Sequence, residues 1–307
     1  MAILPMVSAR TICEVTDISD STVNPSTPIN TPALQYSITR FGVDGIAQQD
    51  DTLAVEEPLD IRLRWQRNGV WEEEPLTVTM RTPGHDTELA AGLLFSEGIV
   101  RNREQIIAIT HGDNGNTVLV ELSLDNQLDM KRFQRNFLST SSCGVCGKMT
   151  IESLQLLHQP QLNEKTPQLD AALLQMLPEK LRAAQMLFKK TGGVHGAGLF
   201  GTDADMLLLR EDVGRHNAVD KLLGACLLEN NFPVSDSVLL VSGRAGFEII
   251  QKALAANIAF VAAVGAPTSL AIDLARTHGM TLVGFLKESG FNCYSGEQRI
   301  KARSRST

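Results

Sequence analysis

Apolar positions along the chain change period twice, and those changes divide it. Leu59, Ile61, Leu63 and Trp65 alternate with polar residues. Gln66-Arg67-Asn68-Gly69 then interrupts, and apolar residues resume at Leu76, Val78 and Met80. Alternation on both sides of an Asn-Gly pair predicts a β-hairpin. A second hairpin is predicted over 106–110 and 118–122, turning through Asp113-Asn114-Gly115-Asn116. Between the two, Thr82-Pro83-Gly84-His85-Asp86 breaks the strand pattern. Asp86 or Thr87 is placed to cap a helix carrying Leu89, Leu93 and Leu94, which stops near Gly98.

From about residue 168 the period lengthens. A helix is predicted over 169–190, with Pro178 as the expected break and Thr191-Gly192-Gly193 as its end. A hairpin over 194–200 and 206–209 follows. Helix 215–228, strand 237–242, helix 246–256, strand 259–264, helix 268–278 and strand 281–286 then alternate. Such alternation predicts an α/β fold: a parallel sheet in a three-layer arrangement, with right-handed crossovers. Ligands of such sheets sit at the carboxyl ends of the strands. Those ends are Ser242-Gly243-Arg244, Gly265-Ala266-Pro267-Thr268-Ser269 and Leu286-Lys287-Glu288-Ser289-Gly290. All are loops of mostly small and polar residues, and two of them lead into helix starts, where free N–H groups favour anions.

The organisation expected is therefore a Ser/Thr/Pro-rich disordered or loosely attached tail over 1–33 and a β-rich part over 34–136. A flexible thiol-bearing loop over 137–165 comes next, then an α/β part over 166–300 and a frayed basic end over 301–307. Acidic residues outnumber basic ones, 35 to 28, so the formal charge of −7 argues against non-specific nucleic-acid binding. Cysteines fall at 13, 143, 146, 226 and 293. Their odd number and irregular spacing do not make a secreted disulfide framework. The first residues show no signal peptide and no apolar run has transmembrane length, so a cytoplasmic protein with free thiols is expected.

The chemistry concentrates in Ser141-Ser142-Cys143-Gly144-Val145-Cys146-Gly147-Lys148, two thiols among small residues with a cation beyond. Zinc would need four ligands, and this is the one Cys-x-x-Cys among scattered histidines at 85, 111, 158, 195, 216 and 278. A thioredoxin-like pair should follow a strand and open a helix, whereas this one lies between a β-rich and an α/β half. A sulfur-carrying thiolate needs accessibility and a lowered pKa. Depressing a thiol by about two units takes roughly 2.7 kcal/mol of differential stabilisation, which Lys148 and loop N–H groups can partly supply. Two buried thiols serving only as small apolar groups is the fourth reading. Elsewhere, Gly192-Gly193-Val194-His195 reads as a helix stop or as a ligand mouth. Glu211-Asp212-Val213-Gly214-Arg215-His216-Asn217, followed by Asp220 and Lys221, reads equally as a solvated helix start or a charged rim. Thr268-Ser269 can cap a helix or hold phosphate. The zinc-deaminase pattern, His-x-Glu then Pro-Cys-x-x-Cys, is missing, which argues against deamination.

Taken in order, Thr82-Pro83-Gly84-His85-Asp86, Ser142-Cys143-Gly144-Val145-Cys146-Gly147, Thr191-Gly192-Gly193-Val194-His195, the stretch from Glu211 to Lys221, Ser242-Gly243-Arg244 and Thr281-Leu282-Val283-Gly284-Phe285 resemble the FdhD family. Its members are accessory proteins required for formate dehydrogenase. The resemblance implies a cytidine-deaminase-like α/β domain with a smaller β-rich N-terminal part, in a homodimer. It implies a sulfurtransferase that accepts sulfur from a cysteine desulfurase and passes it to the bis(molybdopterin guanine dinucleotide) molybdenum cofactor. That cofactor is bound as substrate before insertion into formate dehydrogenase, and no resident metal is expected. Cys143 would carry the persulfide and Cys146 would assist. Leu286, Lys287, Glu288, Ser289, Gly290 and Phe291 would bind the cofactor or a guanine nucleotide. The family often has Gly-Arg where this chain has Ser289-Gly290, so Lys287 is left as a point charge without a guanidinium fork there. A molybdenum-cofactor-binding chaperone, with the thiols only as docking contacts, is the alternative.

Overall fold

The computed structural model describes residues 30–113, 115–123, 162, 166–230 and 234–301. The thiol-bearing stretch with Cys143 and Cys146, and most of the two tails, lie outside them. Strands β1 (Ala33–Gly42) and β2 (Gly45–Ala54) pair antiparallel into a separate ribbon. Strands β3 (Glu57–Arg67), β4 (Val70–Arg81), β5 (Ile106–His111) and β6 (Thr117–Leu122) make a four-stranded sheet in the order β4-β3-β6-β5. The alternation read in β3 is the pleat itself: Leu59, Ile61, Leu63 and Trp65 are all fully buried. Asn68 and Gly69 both take positive φ (52° and 78°), as a two-residue hairpin turn requires.

Helix α1 (Asp86–Ser96) lies under this sheet, and its start differs from expectation. No side chain caps it. The Asp86 carboxylate instead accepts from the Arg81 guanidinium through both oxygens, at 3.0 and 2.8 Å, in a buried fork. His85, in the left-handed region at φ 59°, turns the chain into the helix.

The second sheet has the order β13-β12-β11-β10-β8-β9. Its strands are β8 (His195–Phe200), β9 (Met206–Asp212), β10 (Val238–Val241), β11 (Phe260–Ala263), β12 (Thr281–Lys287) and β13 (Gly290–Ser295). β10, β11 and β12 run parallel, while β8, β9 and β13 pair antiparallel. In β10 the residues divide strictly between faces. Val238 and Leu240 join the core under α2 (Ala171–Ala184), with Leu174, Leu177 and Leu181. Leu239 and Val241 join the larger core with α4 (Arg215–Leu228), α5 (Phe247–Ala255) and α6 (Ser269–Thr277). Helices thus cover both faces of an α/β sheet. A short parallel pair, β7 (Leu169–Asp170) and β14 (Ile300–Lys301), brings the end of the chain back beside the start of α2.

Pro178 does not break its helix. It sits inside α2, and the break falls at Gln185, ahead of α3 (Met186–Thr191). The cause is tertiary. The Glu211 carboxylate accepts from Leu187 N–H and Phe188 N–H, both at 2.9 Å, so the first turn of α3 is capped from another strand. Gly192, at φ 64°, then ends α3 as the sequence predicts. The β-rich part and the α/β part meet where α1 crosses α4. A Cβ placed on Gly92 would stand 1.8 Å from Asp220 O, and one on Gly224 would stand 1.8 Å from Glu88 O. Two glycines let the backbones touch, and the larger core runs continuously across the contact.

Candidate functional site

Topology decides where the exposed chemistry gathers. The parallel strands β10, β11 and β12 end at one edge. Because β8 runs antiparallel to β10, its first residue, His195, opens at that same edge opposite Asp212, the last residue of β9. Gly196 N–H donates to Ser242 Oγ and Ser242 N–H to Gly196 O, both at 2.9 Å, which ties the two sides. The following loops interlock: Gly265 N–H donates to Gly243 O at 3.0 Å, Phe285 N–H to Gly265 O at 3.0 Å, and Thr268 N–H to Ala245 O at 3.1 Å. A Cβ on Gly265 would meet Gly243 O at 2.8 Å, and one on Gly284 would meet Pro267 Cδ at 2.6 Å. Small residues at these strand ends therefore serve close loop packing.

Three basic side chains gather at this edge. His195 borders Gly243, where a built Cβ would lie 3.2 Å from its Nδ1 and 4.0 Å from Arg215 Cδ. Arg215 opens α4, and its buried Nε has no hydrogen-bond partner among the described residues. His216 Nδ1 lies 2.7 Å from Glu248 Oε2 on α5. Burial, and then the nearby Arg215 charge, lower the His195 pKa; Asp212 opposes this and His216 adds to it. His195 is therefore largely neutral at pH 7. The His216 hydrogen bond holds the Glu248 carboxyl below its usual range, against its burial.

The other charges of the same stretch point inward. Asp212 is fully buried, with Lys221 Nζ 2.7 Å away. Its oxygens also accept from Thr82 N–H at 3.2 Å, Gly214 N–H at 2.8 Å and Asn217 Nδ2 at 3.2 Å. Lys221 additionally donates to Thr82 O at 2.8 Å, and Val213 N–H to Thr82 Oγ1 at 3.1 Å. Asp220 accepts from Lys252 at 2.8 Å through both oxygens and from Ser96 Oγ at 2.8 Å. Neither a solvated helix start nor a simple charged rim describes this stretch. Asp212 and Lys221 form a buried clamp on Thr82, Asp220 ties α4 to Lys252 and Ser96, and Glu211 caps α3, while Arg215 and His216 remain at the edge. No local signal marks Glu248 or Lys252, whose partners come from another helix.

The segment expected to bind the cofactor is the tip of the β12–β13 hairpin, on the same edge. Leu286 is buried in the core under α2, and Phe291 packs against that core. Only Lys287, Glu288 and Ser289 present exposed side chains, with Gly290 at φ 150° closing the turn opposite Lys287. Thr268 does cap α6, its Oγ1 accepting from Ala271 N–H at 3.4 Å. Cys226 is buried, and burial first, with Glu229, pushes its thiol up to about 12; Cys293 is exposed and burial of part of its surface raises it too. Neither is an activated nucleophile. Among the described residues no group of three or more His, Cys, Asp or Glu side chains is disposed to hold a metal. No helix among them is long and apolar enough to cross a membrane.

A second depression, of about 630 Å³, lies where the Pro83–Thr87 turn faces the His111–Gly115 turn. Below it Glu88 bridges His85 Nδ1, at 3.1 Å, and Arg210 Nη2, at 2.8 Å. Burial works against that carboxylate, but its hydrogen bonds to Arg210 and His85 prevail and lower its pKa to about 2.

Comparison with known proteins adds kinship to this geometry. The model of the FdhD/NarQ family matches residues 54–301. A protein of Streptomyces avermitilis called Sulfur carrier protein FdhD is 45% identical over 276 residues, covering 87% of this chain and 95% of the relative. One of the same name from Corynebacterium efficiens is 46% identical over 260 residues, covering 80% and 90%. Another from Sulfurisphaera tokodaii is 40% identical over 255 residues, covering 83% and 93%. A crystal structure from Desulfotalea psychrophila, assigned as a formate dehydrogenase accessory protein, superposes with a TM-score of 0.68 at 24% identity. It covers 88% of this chain and 99% of that one, and shows a shared fold.

Proposed function

The chain belongs to the FdhD/NarQ family, and from that premise we propose that it is a cytoplasmic sulfur carrier serving formate dehydrogenase. Its α/β part is cytidine-deaminase-like and it works as a homodimer. The observation that carries this reading is sequence identity of 40–46% to proteins called sulfur carriers across more than three-quarters of the chain. The loaded atom is the Cys143 sulfur. Its thiolate attacks the terminal sulfur of a cysteine desulfurase persulfide, that S–S bond breaks, the desulfurase thiolate leaves, and Cys143 becomes the persulfide. On unloading, the Cys146 thiolate attacks the Cys143 sulfur. A Cys143–Cys146 disulfide forms and sulfide departs, taking both electrons. Sulfide replaces an oxygen ligand of the molybdenum in the bis(molybdopterin guanine dinucleotide) substrate, the oxygen leaving as water. A thiol reductant then resets the pair. Supporting a phosphate-bearing ligand are the loops at the carboxyl edge, the cationic Arg215 with the His195 imidazole beside it, and the exposed Lys287 of the hairpin tip.

The test is intact-mass and peptide analysis after incubation with a cysteine desulfurase and free cysteine. Gain of one sulfur atom on the peptide holding Cys143, lost in Cys143→Ala, is expected. Equal gain in Cys143→Ala would overturn the assignment, and no gain in the wild type would end the carrier reading.

A further inference from the structure

We infer that the outer edge of β9, with the small apolar depression beside it, is a docking site for an extended peptide segment of a partner protein, one that carries an apolar residue and, two positions away, Lys or Arg. The strand closes the sheet at the end opposite the β12–β13 hairpin. The inference is independent of the sulfur chemistry and concerns a surface to which the proposed function gives no role.

Sheets usually defend their end strands with charge, proline or a covering contact. The four-stranded sheet ends on β4, where Glu72-Glu73-Glu74-Pro75 supplies three charges and a proline. β13 is tied down by Arg276, whose Nε donates to Tyr294 O at 3.2 Å. β9 instead opens with Met206-Leu207-Leu208-Leu209, which has neither charge nor proline. Leu207 falls where the register with β8 shifts, and it leaves 58% of its surface exposed in mid-strand. Among the described residues the backbone of Met206, Leu207 and Leu208 makes no hydrogen bond outside the β8–β9 ladder. Further along, Arg210 Nη1 donates to Leu209 O at 2.8 Å and Glu211 caps α3, so the open stretch ends there. A strand laid along Met206–Leu208 gains main-chain hydrogen bonds without displacing a partner.

The depression selects what that strand carries. Its volume of about 300 Å³ lies at the small end of the ~300–1,000 Å³ range of ligand pockets, which suits a side chain better than a cofactor. Leu207, Leu208, Val234 and the buried Cys226 give it an apolar wall. Its charged lining is Glu229 and Asp236, both exposed, and no cation lines it among the described residues. Side chains two apart on a strand share a face. An apolar side chain therefore fills the hollow while a Lys or Arg two positions away meets the acidic rim. The same rim disfavours a second copy of this chain. Laying β9 against β9 would bring like carboxylates together, in a chain of formal charge −7.

The experiment selects a phage-displayed library of random short peptides on the full chain. The most enriched peptide is then synthesised with a fluorescent label and titrated by anisotropy, with thermal melting as the check on folding. Enrichment of an apolar residue with Lys or Arg two positions away is expected. Leu207→Gln, at an exposed position, should keep the wild-type melting temperature and weaken the peptide by about tenfold. Glu229→Gln combined with Asp236→Asn should weaken it by about threefold and remove most of its salt dependence. N-methylation along the peptide should cost affinity at alternate positions only, because every second N–H faces β9. Undiminished affinity in folded Leu207→Gln would overturn the site. So would enrichment of acidic peptides, of no shared pattern, or an N-methyl scan without the period of two. A change of oligomeric state in Leu207→Gln, read by sedimentation, would put a second copy on this edge and overturn the peptide partner.

Discussion

Eleven consecutive residues, Glu211 to Lys221, hold two opposite solutions to the problem of charge. Asp212, Asp220 and Lys221 are buried, and each meets a partner within hydrogen-bonding distance. Three and four positions beyond Asp212, Arg215 and His216 sit half-buried at a loop edge, and Arg215 has a donor to spare. The first set fixes where the helix begins. In the proposed function the second set faces the ligand. Completeness of pairing, rather than the number of charges, separates Arg215 from the buried set, while His216 keeps one partner in Glu248.

The comparison breaks most visibly at Lys221. Lys221→Met strands the buried Asp212 carboxylate, and about 3–5 kcal/mol of stability should be lost in urea unfolding. A loss under about 1 kcal/mol would show that the clamp is wetter than its geometry. Acid should find the next weakest point. Glu88 has a folded pKa lowered to about 2, so its contribution is complete above the ordinary carboxylate range near pH 4.5 and disappears as pH falls toward 2. That contribution is about 2–3 kcal/mol after allowance for solvent screening. Glu88→Gln should flatten this part of the acid unfolding curve, and an unchanged curve would contradict the pairing with Arg210. Gly224→Ala forces α1 and α4 apart and should cost about 1–3 kcal/mol, seen as a lower melting temperature. Arg215→Gln should shift stability by under about 0.5 kcal/mol, while a guanine nucleotide held at the proposed phosphate edge should bind more weakly by about tenfold in isothermal titration.

The smallest effect sharpens the ligand-facing half. His195 faces Arg215 and His216 from α4 and Asp212 from the end of β9, and its pKa lies below the usual histidine value in the free protein. A bound diphosphate favours the imidazolium, so binding takes up protons. GDP affinity should tighten by about threefold as pH falls from ~7.5 to ~6, beyond any change seen in His195→Asn. Parallel pH profiles for the two proteins would show that His195 stays neutral on binding.

Much of the fold is written locally. Alternation in β3, the Asn68-Gly69 turn and the β/α alternation after residue 210 each appear where the pattern places them, because pleat and helix periods report on faces directly. The misreadings share one cause. Pro178 is tolerated, while the break comes at Gln185, where Glu211 from another strand caps the next turn. Asp86 prefers Arg81 over a backbone cap. The edge itself was legible from strand order, but the meeting of His195 with Arg215 depends on the antiparallel β8–β9 hairpin turning its open end toward the tips of the parallel strands. The buried pairs join residues such as Lys221 with Thr82 and Asp220 with Ser96, more than a hundred positions apart. No short window of sequence contains both members of these two contacts, unlike Asp212 with Lys221 or Arg81 with Asp86.

Where Gly92 and Gly224 let α1 and α4 touch, nothing compressible lies between the two backbones. A tilt of α1 has no slack in which to be absorbed and must turn α4 with it, moving Arg215 at its head. Substitutions in the first third of the chain, remote from any phosphate, should therefore surface as altered nucleotide affinity, with the crossing acting as a lever fulcrum.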